Sequence, residues 1–330
     1  MEKNSKRKSD YSLPLREGGG WVFSIILLLL SACHSSPTLS PEEEARRDSA
    51  ALHVALMPVA DCLPFYVAQR TGIYDRLGLD LRIHTFWAQL DTDTALLRRR
   101  VHLAYSDLAR AIMIQQADTF DLRAVAATDG ELQLITAHRG RVRNLNQLKE
   151  RMVAVARHSI TDYWSDRMMD SARMVQTDIF RPQINNVRIR TDMLCNGTMD
   201  AALLPEPFAT EARLRGNNLN FTTRSLDPRL AALVAPSAVL ADTTRLRQLR
   251  LLFQGYDEAL GLRDSFPRLL RELCQTPDTL RDTISRALPV PAALSTPRAS
   301  DAEAALRWLA TRDKARKGYT IDTLIYELKR

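Results

Sequence analysis

The strongest constraint on the fold is an alternation of short apolar strands with helix-length segments, which begins at residue 52. Residues 79–86 alternate apolar and polar side chains, the period of a half-buried strand. Three strands, each followed by a helix, are predicted: strands at 52–57, 79–86 and 101–105, and helices at 65–70, 94–100 and 108–116. Strands separated by helices in this way favour a mostly parallel sheet with helices on its faces.

A second unit begins near residue 122. Residues 122–127 and 132–137 are predicted to be consecutive strands joined by a hairpin-type turn that contains Gly130. Further elements are predicted along the rest of this unit: short helix 144–150, strand 152–156, helix 159–174, and strands at 187–190 and 199–204. The carboxyl third is mostly helical, and Ser300 to Glu303 has the form of a capping box ahead of one of its helices.

The composition is that of a globular chain with room for two domains. Of the 330 residues, 45% are hydrophobic and 26% charged, which excludes collagen-like, low-complexity and wholly disordered classes. The net charge of +7 is not organised into a basic block beside an aromatic platform, so nucleic acid is not a predicted partner. Cys62, Cys195 and Cys274 lack metal-ligand spacing and are interpreted as small buried residues, with at most one disulfide among them.

The amino terminus has the layout of an export signal. Basic residues precede an apolar run at 21–30, which is about half the roughly 20 residues needed to cross a bilayer. The segment Leu30-Ser-Ala-Cys33 resembles the lipobox of bacterial lipoproteins, in which the cysteine becomes the first residue and carries the lipid. We therefore predict a signal peptide at 1–32 and a lipid on Cys33. The Ser/Pro-rich and then charged residues 33–50 predict a flexible tether.

Four segments resemble one known family. Residues 63–83, beginning Leu-Pro-Phe-Tyr-Val-Ala, are similar to the opening of type II periplasmic solute-binding proteins in their sulfonate, nitrate and thiamine-precursor branch, the NMT1/THI5-like proteins. Residues 101–107 and 144–156 resemble two later family segments, and Asp200-Ala-Ala-Leu-Leu-Pro-Glu-Pro-Phe208 resembles its D-A-x-x-x-x-E-P signature. The resemblance spans about residues 52–309. One departure is Arg100-Val-His102, where the family usually has a glycine before the strand.

The resemblance implies an α/β fold of two lobes, each a mostly parallel sheet flanked by helices, joined by two hinge strands. With crossings near 137–141 and 221–229, lobe one is predicted at 52–138 plus 228–330 and lobe two at 139–227. It also implies a lipid-anchored solute-binding component of an ABC importer, located in the bacterial cell envelope outside the cytoplasm. The implied partners are a small-molecule ligand, an ABC permease with its ATPase, and a membrane reached through the Cys33 lipid, either inner or outer.

Candidate ligand-binding residues follow from the position of ligands in open α/β sheets, at the carboxyl ends of strands beside helix amino termini. The candidates are Pro64, Tyr66, Trp87, Ser106, Asp107, Ser159, Thr161, Tyr163 and Glu206. Ser106 and Ser159 have an alternative role as ordinary helix caps, and the three aromatic residues have an alternative role in the core. Glu206 favours an amine or amidine on the ligand, and its alternative role is that of a solvated turn residue.

No catalytic motif, metal-ligand spacing or cofactor-binding motif is evident, so no enzyme activity and no cofactor are predicted. The alternatives are an envelope enzyme on the same scaffold and an interaction lipoprotein without a ligand, and a cleft filled by its own side chains would favour the second of these. For the ligand, a heteroaromatic or amine-bearing molecule such as a pyrimidine thiamine precursor is favoured over a sulfonate, because a nearby carboxylate opposes a simple anion.

Overall fold

The computed structural model describes residues 40–117, 120–289 and 291–329, so the predicted signal peptide and Cys33 lie outside the described residues. The chain forms two compact units, divided between Ser49 and Ala50. Helix α1, Pro41–Ala50, has no buried residue. The Ser40 Oγ accepts a hydrogen bond from the Glu43 N–H, and the Glu43 carboxylate accepts one from the Ser40 N–H. This capping box, with proline at the first helical position, explains why these residues are helical although a flexible tether was predicted.

The remaining elements belong to the unit that begins at Ala50. Its strands are β1 Leu52–Leu56, β2 Leu81–Thr85, β3 Leu103–Asp107, β4 Leu122–Ala127, β5 Leu132–Thr136, β6 Val153–Ala154, β7 Ala201–Pro205, β8 Asn218–Thr222 and β9 Ala231–Pro236. Its helices are α2 Leu63–Arg70, α3 Ile73–Arg76, α4 Gln89–Leu97, α5 Leu108–Gln115, α6 Ile160–Ser171, α7 Val187–Cys195, α8 Phe208–Leu214, α9 Ser237–Ala241, α10 Thr243–Ala259, α11 Phe266–Cys274, α12 Asp278–Ala287 and α13 Ala299–Ala310.

The first sheet has the strand order β2-β1-β3-β9-β4. Strands β1, β2 and β3 are parallel, and β9 is antiparallel to both of its neighbours. All residues of β3 except Tyr105, and all of β9 except Pro236, are buried, as expected for a sheet covered by helices on both faces. We call this sheet and the helices packed on it lobe one.

The second sheet has the order β6-β7-β5-β8, and we call it with its helices lobe two. Strand β5 is antiparallel to β7 and β8. The chain therefore passes between the sheets at 128–131 and returns at 223–230. The hairpin prediction is wrong, because β4 and β5 lie in different sheets. The first passage also precedes the crossing placed at 137–141, since β5 pairs within lobe two.

Two further local predictions are wrong. Residues 187–190, predicted as a strand, begin helix α7, which buries Val187, Arg190, Thr191 and Leu194 at helical spacing. Helix α13 begins at Ala299 with Arg298 at its N-cap and no side-chain cap, so Ser300 does not form the predicted capping box. The prediction of two α/β lobes is confirmed, each with a mixed sheet that has one antiparallel strand. No helix among the described residues is long and apolar enough to span a bilayer.

Candidate ligand-binding site between the lobes

A small cavity lies where loops of both lobes meet the 128–131 connection. Its volume is about 30 Å³, room for about two water molecules. Four carboxyl groups are among the lining residues, those of Asp61, Asp129, Glu131 and Glu206, together with Tyr105 and several prolines. No basic residue is part of the lining that the structure describes. The cavity is therefore an acidic site.

Asp61 lies in the segment after β1 and is one of the two buried carboxyl groups of the lining. It accepts hydrogen bonds from the Tyr105 hydroxyl (3.0 Å), the Thr128 hydroxyl (2.7 Å) and the Gly130 N–H (3.0 Å). Burial raises the pKa of Asp61, and these hydrogen bonds oppose the rise. Sequence reasoning did not single out this residue, although it follows the carboxyl end of a strand, the same rule that selected the others.

Glu206 follows β7 and belongs to the part of the lining that comes from lobe two. Its carboxylate accepts hydrogen bonds from Gln133 Nε2 (2.8 Å), the Thr210 hydroxyl (2.9 Å) and the Thr210 N–H (3.0 Å). Burial is the largest cause of the raised pKa of Glu206. The other amide atom of Gln133, Oε1, is buried and has no hydrogen-bond donor among the described residues. This side of the site therefore has acceptors in excess.

The two buried carboxylates of the lining, Asp61 and Glu206, differ from the half-buried Asp129 and Glu131 in their ionic partners. Asp129 pairs with Arg229 at 3.0 Å, and Glu131 pairs with Arg224 at 3.1 Å. These ion pairs are partly exposed, so each contributes little to the free energy of unfolding. Asp61 and Glu206 form no ion pair with any residue that the structure describes. A positively charged group would therefore find two buried, uncompensated partners.

The loops also join the two lobes directly. The Ala60 N–H of lobe one donates to the Glu206 carbonyl oxygen at 2.7 Å. The Val187 N–H of lobe two donates to the Trp87 carbonyl oxygen at 2.9 Å. The Trp87 ring also meets the edge of Phe208, with centroids 6.2 Å apart. Trp87 thus contacts lobe two and is not part of the described cavity lining.

The predicted residues Ser106 and Asp107 end β3 but do not line the cavity. The Ser106 hydroxyl donates to Asp93 at 2.7 Å. Asp107 is fully buried and caps α5 by accepting from the Arg110 N–H at 2.9 Å. Its second oxygen accepts from Gln89 Nε2 at 2.8 Å and from the Ile160 N–H of lobe two at 2.9 Å.

Ser159 and Thr161 form a local network at the start of α6. Ser159 accepts from the Thr161 N–H at 3.2 Å and donates to the Ala156 carbonyl oxygen at 2.6 Å. The Thr161 hydroxyl oxygen accepts from the Ala156 N–H at 2.8 Å. Ser159 therefore has the capping role that the sequence left open as an alternative.

The remaining predicted residues are packed in the core. Pro64 and Tyr66 are buried in α2, and the Tyr66 hydroxyl lies 3.1 Å from that of Thr85. Tyr163, on α6, meets the rings of Trp164 and Trp308 edge to face. Of the nine residues predicted from the sequence, only Glu206 is among the described lining of the interlobe cavity.

A larger groove of about 880 Å³ lies between α6 and α13. Its charged residues are mostly paired with one another: Arg298 bonds Asp227 and Asp301, and Arg167 pairs with Asp170. Volume alone favours this groove as the ligand site, whereas the placement of unpaired charged groups favours the smaller cavity. We take the smaller cavity as the candidate site, because its two buried carboxylates, Asp61 and Glu206, have no ionic partner in the part of the chain that the structure describes.

Two α/β lobes, each a mixed sheet flanked by helices, are characteristic of the type II periplasmic binding protein fold, and solved structures of that fold resemble this chain. The aliphatic sulphonate binding protein SsuA from Escherichia coli has a TM-score of 0.68 at 15% identity, covering 84% of this chain and 92% of that one. The nitrate-binding protein NrtA from Synechocystis PCC 6803 has a TM-score of 0.69 at 13% identity, with 83% and 84% covered.

A second SsuA, the alkanesulfonate-binding protein from Xanthomonas axonopodis pv. citri bound to MOPS, has a TM-score of 0.68 at 16% identity, covering 81% of this chain and 95% of that one. None of the curated proteins compared matches the sequence. Residues 59–230 match the family described as NMT1/THI5 like, and the chain belongs to that family.

Proposed function

We propose that this protein is the solute-binding component of an ABC importer and that it captures a small organic ligand between its lobes. Support comes from its family, from its fold, and from a cavity to which loops of both lobes contribute. It then works outside the cytoplasm of a bacterial cell, and its partners are an ABC permease and the ATPase of that permease. The ligand has to be admitted by separation of the lobes, since the cavity itself has a volume of only about 30 Å³.

We infer the chemical class of the ligand from the acidic lining of the cavity. Asp61 and Glu206 line the cavity without an ionic partner among the described residues. Gln133, which donates to Glu206, is not a lining residue, but its Oε1 is a buried acceptor without a donor. An amine, amidine or amino-substituted heteroaromatic ring supplies both positive charge and N–H donors. Sulfonate and nitrate, the ligands that the names of the SsuA and NrtA proteins give, would be repelled by the carboxylates of such a site.

A thermal-shift screen tests this proposal. The probes are organic amines and amidines, aminopyrimidines, and alkanesulfonates with nitrate. A ligand at 100 times its Kd adds about 2.7 kcal/mol to the free energy of unfolding. We expect amine-bearing probes to stabilise the parent and the exposed control Glu303→Gln, but not Glu206→Gln or Asp61→Asn. Stabilisation by sulfonates or nitrate alone would contradict the proposed ligand class.

We also propose that a lipid on Cys33 anchors the protein, because the Leu-Ser-Ala-Cys segment follows a short apolar run. Cys33→Ser should leave the protein uncleaved or released from membranes, and membrane fractionation with intact-mass measurement reads both outcomes. Cys195→Ser is the control, since Cys195 is a free thiol of the folded unit. Unchanged membrane partitioning and mature mass in Cys33→Ser would refute the anchor.

One observation favours a second candidate function. The small cavity and the direct hydrogen bonds between lobes fit an interaction lipoprotein that holds its lobes together without a ligand. The two functions differ in whether the protein carries a bound small molecule. Native mass spectrometry of protein purified from its own host should show a retained small molecule if the protein is a solute-binding protein. An interaction protein carries none and gives no stabilisation in the screen.

A further inference from the structure

The carboxylate of Asp61 is open to a ligand on one oxygen only. All three of its hydrogen bonds end at Oδ2, which accepts from the Tyr105 hydroxyl, the Thr128 hydroxyl and the Gly130 N–H. Oδ1 accepts no hydrogen bond from any residue that the structure describes, yet it keeps accessible surface. Asp61 is 8% exposed and lines the cavity, so Oδ1 is the acceptor left for a ligand. An unpaired acceptor on a side chain this buried points to a missing donor.

The three donors hold Oδ2 against β3 and against the first connection between the lobes. Tyr105 lies on β3, and Thr128 and Gly130 belong to the connection at 128–131. Gly130 has a φ of +58°, and a Cβ there would lie 2.5 Å from the Ala231 Cβ, so glycine is required at the position from which this N–H donates. A carboxylate oxygen has two lone-pair sites, and three donors fill them. Oδ2 therefore cannot accept a hydrogen bond from a ligand.

The carboxylate of Glu206 is limited in the same way. Its Oε1 accepts from Gln133 Nε2 and from the Thr210 hydroxyl, and its Oε2 accepts from the Thr210 N–H. One lone-pair site thus remains, on Oε2. The Ala60 N–H donates to the Glu206 carbonyl oxygen, which brings Asp61 and Glu206 to the same cavity. The site therefore offers one open position on each of two carboxylates, and on neither carboxylate are both oxygens open.

We propose that Tyr105 and Thr128 are positioning residues that make the site select an alkylammonium group over an amidinium or guanidinium group. This inference rests on the proposed solute-binding function and deepens it, because it names one substrate class among the amines and amidines. The N–H groups of an ammonium diverge, so that one can bond Asp61 Oδ1 and another Glu206 Oε2. A planar amidinium presents two parallel N–H groups, which need both oxygens of one carboxylate.

An amidinium in this site leaves one N–H group without an acceptor. A buried donor that loses its acceptor lowers affinity by about tenfold. The cavity agrees with this selection in size, because its volume of about 30 Å³ is closer to that of an ammonium group than to that of the larger planar amidinium. Occupied donors and small volume thus favour the same class of ligand.

The test measures the ratio of affinities within matched pairs of cations. The probes are methylamine with acetamidine and benzylamine with benzamidine, measured by calorimetry and thermal shift at neutral pH and equal ionic strength. We expect the parent to bind each amine about tenfold or more tightly than the matched amidine. Amidines bound as tightly as amines overturn this inference alone. A parent that binds neither member of either pair overturns the ligand class of the proposed function as well.

Substitutions at the two hydroxyl donors identify the cause of the selectivity. Tyr105→Phe combined with Thr128→Val leaves only the Gly130 N–H on Asp61 Oδ2, so this oxygen can accept a second N–H of the ligand. The preference for the amine should fall to about threefold or less, through a gain in amidine affinity. Thr128→Ala takes the place of Thr128→Val if that double variant does not fold.

A conservative variant and a control complete the experiment. Tyr105→Phe combined with Thr128→Ser keeps two donors on Asp61 Oδ2 and should keep the preference of the parent. Tyr66→Phe removes a buried hydroxyl beside Thr85, outside the described lining, and is the matched control. An unchanged preference in the folded valine or alanine double variant would overturn the role of Tyr105 and Thr128.

Discussion

Glu206 binds a proton more tightly in the folded protein than in the unfolded chain, because burial raises the pKa of its carboxyl group above the ordinary value of 4.5. A raised carboxyl pKa contributes stability that is present below pH 4.5 and lost as the pH rises through the folded value. The residue that gives the site its charge thus lowers the stability of the protein at neutral pH.

Glu206→Gln should therefore increase the free energy of unfolding at pH 8 by about 1 kcal/mol and flatten its dependence on pH above 4.5. The glutamine oxygen still accepts from Thr210, and its amide can donate to the unpartnered Gln133 Oε1. Urea unfolding at a series of pH values measures both effects. Glu303→Gln, on an exposed position of α13, should leave the slope unchanged. A Glu206→Gln protein that is less stable at pH 8 contradicts the prediction.

His102 should give the opposite pH dependence. Burial, followed by the charges of Arg245 and His53, lowers the pKa of His102 from 6.5 to about 4. A lowered histidine pKa contributes stability that is present above pH 6.5 and lost as the pH falls towards 4. Because His102 is partly exposed, we expect an effect on the order of 1 kcal/mol after allowance for solvent screening.

The measurement is urea unfolding of His102→Asn between pH 4 and 7. In the parent, the backbone N–H of His53 donates to His102 Nδ1 at 3.0 Å. The asparagine oxygen can accept the same hydrogen bond. The loss of stability on acidification should be smaller in His102→Asn than in the parent. The exposed His138→Asn is the matched control. An identical acid slope in all three proteins would show that His102 does not cause it.

At the scale of elements, one glycine shows how closely two helices pack. Gly255 lies within α10, where glycine is unfavourable by about 1 kcal/mol relative to alanine. A Cβ at this position would lie 2.2 Å from Cε1 of Tyr74, a buried residue of α3 whose hydroxyl donates to the Leu252 carbonyl oxygen. Close packing of the two helices thus requires a residue without a side chain at position 255.

Gly255→Ala should lower the free energy of unfolding by about 1–3 kcal/mol, because overpacking outweighs the gain in helix propensity. Urea unfolding measures the change. Gly261→Ala, just after the same helix, meets no atom closer than 3.9 Å and should stay within about 0.5 kcal/mol of the parent. If Gly255→Ala is as stable as the parent, Tyr74 must move at little cost and the packing argument fails.

The order of strands and helices in the first 65 residues of the folded body could be predicted, because β1 and β3 are short, mostly buried runs and β2 alternates apolar and polar side chains. Helix α7 could not, since Val-Arg-Ile-Arg alternates like a strand, and only its N-cap Asn186 indicates a helix: Asn186 Oδ1 accepts from the Ile189 N–H at 3.0 Å. Strand β5 was identified but assigned to the wrong lobe. Its pairing with β7 depends on contacts some 70 residues away, which local pattern does not encode.

The site was harder to predict than the fold. The rule that ligands bind at strand ends led to Glu206, which lines the cavity, but it could not show which of the other predicted side chains are already satisfied by one another. Ser106 bonds Asp93, and Thr161 bonds the backbone of its own loop. Asp61 was missed because a single aspartate in a loop has no distinguishing sequence pattern.

At the scale of the whole molecule, Asp166 joins the two lobes beside the larger groove. On α6 of lobe two, it accepts from Trp308 Nε1 at 2.7 Å and from Arg312 Nε at 2.9 Å, both in lobe one. Arg181 of lobe two donates to the same carboxylate at 2.6 Å. These contacts favour the arrangement in which the lobes are together.

Asp166→Asn should lower the free energy of unfolding by about 2 kcal/mol and increase the radius of gyration, because two arginines lose their charged partner and the lobes separate more readily. Urea unfolding and small-angle scattering measure the two effects. Asp170→Asn on the same helix removes only an exposed pair with Arg167 and is the control. Lower stability with an unchanged radius would mean that Asp166 stabilises lobe two without holding the lobes together.

Strand β9 has a consequence for the order in which the molecule is assembled. It lies between β3 and β4, yet it follows all of lobe two in the chain. A growing polypeptide leaves the ribosome amino terminus first, so the inner edges of β3 and β4 remain unpaired until residue 236 has been made. Lobe two is one continuous segment and can complete its sheet earlier. Lobe one is therefore the half of the nascent chain that depends longest on protection from aggregation.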